Sequence, residues 1–196
     1  MHGPNLKYAD IEKAADDFLK NYHPTLTLPI PIEEIVELKM SIAVIAVPGI
    51  KSLLGIDAFI SSDFSQITIN EISFSKFQER TRFSIAHEIG HLVLHKDWYE
   101  KYGPKNLEDY LTFHDRIDAQ IYKFIEIQAH TFAGLVLVPK DSLVNELRIR
   151  LGKIPVGESP EILTPIAQDL LDVFKVSGDV IIRRLQKEGI IKSNFK

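Results

Sequence analysis

Residues 80–95 read RTRFSIAHEIGHLVLH, an apolar run into which His87, Glu88, His91 and His95 are set, the histidines at four-residue intervals. A helix that turns isoleucine, phenylalanine, leucine and valine toward a core cannot also bury that many polar groups unless something satisfies them. Side chains at i and i+4 share one helical face, so His87 and His91 can converge on a single ion. Glu88 lies about 100° round the helix from His87, beside the pair, where it can take a proton from a water held there. The segment HEIGH is thus an HExxH pattern, and a metal site is the expectation that constrains everything else.

Three residues compete to complete it. His95 continues the face but stands about 12 Å along the axis from His87, too far to share one ion through bonds of about 2.1 Å. A half-buried histidine bonding a carbonyl near the helix end is its expected role. Asp97 falls where a metzincin-type HExxHxxGxxH would place its last ligand, but the glycine that turns such a chain back is Leu94 here. Glu126 lies in FIEIQAHTFAGLVLVP, with Ala129 and Ala133 at i+3 and i+7. Small residues on that face let a helix approach its neighbour closely enough for a glutamate to reach a shared ion. Two histidines and a glutamate, with a fourth position left for water, form a recognised catalytic zinc set.

The rest of the chain must build a scaffold for that pair of helices. Apolar positions at helical spacing predict a helix over 8–22, and Pro31 opens a second short one, IEEIVELK. SIAVIAV (41–47), IDAFI (56–60) and QITIN (66–70) read as strands. A helix follows from about Ser75 to His95, with Ser75 and Gln78 spaced as a capping box. Another runs from about Asp115 to Val138 and stops at Pro139, followed by DSLVNELRIRL and a loop containing GKIPVGESP. The order of helices, small sheet and helices is that of an α+β fold.

At 196 residues and 45% hydrophobic content the chain can bury a core. It contains no cysteine, which removes disulfides, thiolate ligands and a cysteine nucleophile. The start MHGPNLKYADIEKAADDF lacks the pattern of a signal peptide, and no apolar stretch approaches membrane-spanning length, so a cytoplasmic protein without a membrane role is expected.

Taken together, RTRFSIAHEIGHLVLH and EIQAHTFAGLVLVP resemble the ImmA/IrrE-type metallopeptidases, over roughly residues 8–141. The resemblance implies a zincin-like fold, one zinc per chain held by His87, His91 and Glu126, and Glu88 as catalytic base. It also implies a biological task, the cleavage or inactivation of a helix-turn-helix repressor. The family's asparagine after the alanine is His130 here, one turn beyond Glu126. His130, Tyr99 and Tyr122 are candidates to stabilise the oxyanion, and Tyr110 and His114 are eligible by type.

The chain divides into an expected metallopeptidase domain, 1–155, and a C-terminal helical segment, 156–196. The tail IAQDLLDVFKVSGDVIIRRLQKEGII has helix-turn-helix cadence, with Val176-Ser177 at the turn and Arg183, Arg184 and Lys187 on the second helix. This supports a rival reading, a DNA-binding or regulatory module on a zincin scaffold. Six basic and four acidic residues between 164 and 196, in a chain of net charge −4, are few for a phosphate-binding surface. Direct DNA binding is therefore not expected, and a helical pair that packs or holds substrate is.

Overall fold

A computed structural model describes residues 5–192, so the first four residues of the expected N-terminal domain and the last four of the C-terminal segment lie outside it. Helix α1 (Tyr8–Tyr22) buries Ile11, Ala15, Phe18 and Leu19, the stripe that its spacing predicted. A short α2 (Ile32–Glu34) widens into a π turn over Ile35–Lys39. The sheet has three strands: β1 (Ala43–Val47), β2 (Ala58–Ile60) and β3 (Gln66–Asn70) in the order β1-β3-β2, with α3 (Ile50–Leu54) between the first two in sequence. β3 pairs parallel with β1 and antiparallel with β2. Central β3 buries Ile67, Thr68, Ile69 and Asn70, as a strand covered on both faces must, whereas edge strand β1 is largely exposed.

Helix α4 (Glu71–Lys76) precedes α5 (Gln78–Tyr102), which carries HEIGH. The capping box expected at Ser75 does not form. Ser75 sits inside α4 with its hydroxyl near the Ile72 carbonyl, and α5 starts after a break at Phe77, whose carbonyl accepts from Thr81 N. Asn70 ends β3 and begins α4, which leaves no room for an independent cap two turns later. After α6 (Leu107–Phe113), helix α7 (Ala119–Leu137) opens at Asp118, whose carboxylate accepts from the Gln120 and Ile121 amides. That side-chain cap starts the helix later than Asp115. Helices α8 (Lys140–Leu151), α9 (Ala167–Phe174) and α10 (Gly178–Lys187) follow, the last two separated at Val176-Ser177 as their sequence implied.

The packing of α5 on α7 positions the site. Gly90 meets Ala129 so closely that a Cβ on Gly90 would lie 3.0 Å from Ala129 Cα. Two buried arginines lock surrounding segments onto this pair. Arg82 on α5 donates to the Ile30 carbonyl (2.6 Å), the Lys175 carbonyl (3.2 Å) and Glu33 (2.9 Å). Arg184 on α10 donates to the carbonyl of Val138 (3.1 Å) at the end of α7 and pairs with Glu188. Leu170, Phe174, Ile181 and Leu185 of the C-terminal helices belong to the same apolar cluster as Ile85, Ile89 and Phe132. Among the described residues no single helix is long and apolar enough to cross a membrane.

Candidate metal centre

One turn of α5 presents His87 and His91 to α7, and Glu126 on α7 faces them because Gly90 and Ala129 allow the backbones to close. His87 Nε2 lies 3.1 Å from Glu126 Oε2, and His91 Nε2 lies 3.3 Å from Glu126 Oε1. One ligand atom from each of the three falls within 4.8 Å of the others. Two donors each about 2.0–2.1 Å from a tetrahedral ion stand roughly 3.3–3.4 Å apart, so this donor set fits zinc with little movement.

The charges point the same way. Burial pushes the Glu126 carboxyl up, but hydrogen bonds and charge from His87 and His91 outweigh it and hold the group well below the usual carboxylate range. Burial disfavours the His87 cation, yet Glu126 raises its pKa overall. The cluster thus favours a positive charge at its centre, which a proton or a divalent cation can supply. His91 is 1% exposed, whereas Glu126 is 33% and His87 16% exposed. The cluster therefore opens to solvent on one side, the arrangement of a catalytic rather than a closed structural site.

Glu88 is buried beside the cluster. Its Oε2 accepts the backbone N–H of Ile60 at 3.0 Å, from the end of β2. Burial raises its pKa, against the lowering effect of His87 and His91. That backbone donor is a functional group the sequence did not signal, since nothing local connects residue 60 to residue 88.

His95 is fully buried, where a half-buried position was expected. It is 2% exposed and has non-helical backbone angles (φ −127°, ψ 20°) that kink α5. Its Nδ1 lies 3.2 Å from His91 Nδ1, and its Nε2 lies 2.9 Å from Gln128 Oε1. The carbonyl it meets thus belongs to the Gln128 side chain, a residue that sequence reasoning missed. For His91 to offer a lone pair at Nε2 its proton must sit on Nδ1, which then donates to His95 Nδ1. His95 in turn carries its proton on Nε2 and donates it to Gln128. Burial, and then the charge of His91, push the His95 pKa down to about 3, so the ring stays neutral and able to accept. Asp97, past the kink, is exposed and stands apart from the cluster.

The oxyanion candidates separate by position. Tyr99, Tyr110 and Tyr122 line a cavity of about 230 Å³ together with His87, Glu88 and Glu126. Tyr99 stacks on the His91 ring (4.7 Å between centroids), while Tyr110 and Tyr122 share the wall of the same cavity. Burial raises the pKa of both Tyr110 and Tyr122, which keeps them as O–H donors. His130 is exposed on the other side, its ring 4.7 Å from Phe83 and 6.4 Å from His87, in a larger cavity of about 780 Å³. His114 packs edge-on to Tyr122 at 4.6 Å.

Comparison with known proteins places the chain in a family. The profile of the IrrE N-terminal-like domain (Peptidase_M78) matches residues 62–186, further toward the C-terminus than the motifs alone. Among solved structures, a Mycobacterium tuberculosis transcriptional regulator is similar at a TM-score of 0.56 and 16% identity, over 90% of this chain and 46% of that one. That likeness concerns the fold, and this chain spans less than half of that protein. No curated protein matches the sequence.

Proposed function

We propose that this chain, which belongs to the Peptidase_M78 family of IrrE N-terminal-like domains, is a zinc-dependent endopeptidase that cleaves one protein partner. The observation that carries the reading is the convergence of His87, His91 and Glu126 beside a buried, backbone-anchored Glu88 at the wall of an open cleft. His87, His91 and Glu126 would hold one zinc ion per chain. Zinc in such a site supplies Lewis acidity, polarising a carbonyl and acidifying a water.

The chain's own groups do the rest. Glu88 Oε2 is held by Ile60 N–H, which leaves Oε1 to take the proton of the attacking water and return it to the departing amide nitrogen. The raised pKa of Glu88 suits a group that must both accept and release that proton. Burial keeps the Tyr110 and Tyr122 hydroxyls protonated in the cavity that Glu88 and Glu126 line, so either can offer the developing oxyanion a donor. The Ile60 N–H points away from β3, and on the same edge of β2 the backbone of Ala58 can pair with an extended substrate.

The partner is a helix-turn-helix repressor in the cytoplasm. Family resemblance supports this, and a link to transcription is shared with the structurally similar Mycobacterium tuberculosis transcriptional regulator. The alternative reading as a DNA-binding module loses one of its three cations, because Arg184 is 4% exposed and committed to Val138 and Glu188. The C-terminal segment serves in this reading as an accessory element, with Val180, Arg183, Gln186 and Lys187 walling the larger cavity beside His87 and Glu126. The test is incubation of the zinc-loaded chain with helix-turn-helix repressors from the same genome, followed by intact-mass measurement. Two fragments from one bond are expected with the wild type and none with Glu88→Gln. Repressors all left uncut, or equal cutting by Glu88→Gln, refute the proposal.

A further inference from the structure

The cavity of about 780 Å³ between α7 and α10 starts at His87 and Glu126 and ends at Arg183 and Lys187. Arg183 and Lys187 stand one helical turn apart, both exposed, and neither has a carboxylate partner among the described residues. Their neighbours differ: Arg184 and Lys140 both pair with Glu188. Among the described residues the one carboxylate that lines the cavity is Glu126, already engaged by His87 and His91. Between the two ends the wall mixes apolar Phe83, Val180 and Ile127, the last 52% exposed, with polar His130, Thr131 and Gln186.

From this we infer that the α7–α10 groove is the specificity subsite of the chain, and that it selects a substrate segment carrying acidic side chains a few residues from the bond to be cut. The inference rests on the reading of the metal cluster as the place of cleavage. A concave site focuses the field of the charges that line it; Arg183 and Lys187 (whose Nζ lies 5.7 Å over the Tyr8 ring) have no carboxylate partner among the described residues, which leaves an acidic side chain as the complementary occupant of that end. A nucleic acid fits less well. Duplex binding draws on a stripe of roughly six to ten phosphate contacts, whereas this groove offers two exposed cations between mixed polar and apolar walls, in a chain of net charge −4.

The test uses the zinc-loaded Glu88→Gln chain, which binds without cutting, and fluorescein-labelled short peptides. The peptides share an Ala-Leu centre and differ in a flanking pair, Glu-Glu, Gln-Gln or Lys-Lys, placed on either side of it. Two partly screened ion pairs predict that one of the Glu-Glu peptides binds about fivefold to tenfold more tightly than its Gln-Gln counterpart at low salt, with the gap closing at high salt. Adding Arg183→Glu and Lys187→Glu should reverse the preference toward Lys-Lys. Arg183→Gln with Lys187→Gln should remove the preference without creating a new one. Both positions are exposed, so circular dichroism and zinc content should be unchanged and serve as folding controls.

Equal affinity for Glu-Glu and Gln-Gln, no binding of either, or a preference that survives charge reversal overturns the inference. Tighter retention of a duplex oligonucleotide than of the acidic peptide overturns it in favour of nucleic acid. An acid preference that follows the charge swap without cleavage by the wild type leaves the subsite standing and removes the peptidase reading. Cleavage indifferent to acidic residues does the opposite.

Discussion

Gly90→Ala adds a single methyl at the point where the two ligand-bearing helices touch. An ideal Cβ there lies 3.0 Å from Ala129 Cα, 3.1 Å from its carbonyl oxygen and 3.2 Å from its Cβ, where comfortable carbon contacts are about 3.5–4.0 Å. Two of the three obstructing atoms are backbone, so no rotamer change relieves them and the helices must part by roughly 0.5 Å. Overpacking of this kind costs about 1–3 kcal/mol. Replacing glycine within a helix returns about 1 kcal/mol. The net expectation is a metal-free protein less stable by about 0–2 kcal/mol. The larger effect falls on the metal, because His87 and His91 lie on one side of the contact and Glu126 on the other. Metal–ligand distances tolerate about ±0.2 Å, so zinc affinity should fall roughly tenfold to a hundredfold, the range seen when ligand support is disturbed. Chelator competition measures the affinity, and urea unfolding of the metal-free chain measures the stability. Adding Ala129→Gly should rescue little, since the Cα and carbonyl contacts remain. A Gly90→Ala chain that is more stable by the full helix-propensity gain and binds zinc as the wild type does would refute the claim that this seam sets the ligand spacing.

Other outcomes follow from the same geometry. Glu126→Ala should all but abolish zinc binding, measured by elemental analysis after dialysis, whereas Asp97→Ala should leave it intact because Asp97 is exposed and outside the cluster. His95→Phe should fall between them, weakening zinc binding about tenfold to a hundredfold by removing the acceptor that orients His91; full affinity in that variant would show that the His91–His95–Gln128 chain is idle. Asp57 offers a pH test: burial pushes its carboxyl up, but hydrogen bonds from Lys51 and Ser73 and the charge of Arg80 outweigh this and lower its pKa. A depressed folded-state pKa gives stability that is complete above the unfolded value of about 3.9 and is lost as pH falls through the folded one. The melting temperature of Asp57→Asn should therefore lie below wild type at neutral pH, and the difference should shrink below about pH 4. A constant difference across that window would remove Asp57 from the account.

Much of this molecule is local and could be read from residue order. Apolar spacing marked α1, alternation marked β3, and the four-residue interval put His87 and His91 on one face, since each depends on backbone geometry within a turn or two. Glu126 stood out because an acid beside Ala129 and Ala133 in an apolar helix needs a partner. The tertiary structure decided what depends on contacts between distant segments. Only the packed chain brings Ile60 N–H to Glu88 across 28 positions, or Gln128 to His95 across 33. It alone sorts three similar cations of α10 into a buried anchor, Arg184, and two solvent-facing charges, Arg183 and Lys187. Helical spacing assigns residues to faces, but which face meets a core, a carboxylate or open water is set by the surfaces that close around it.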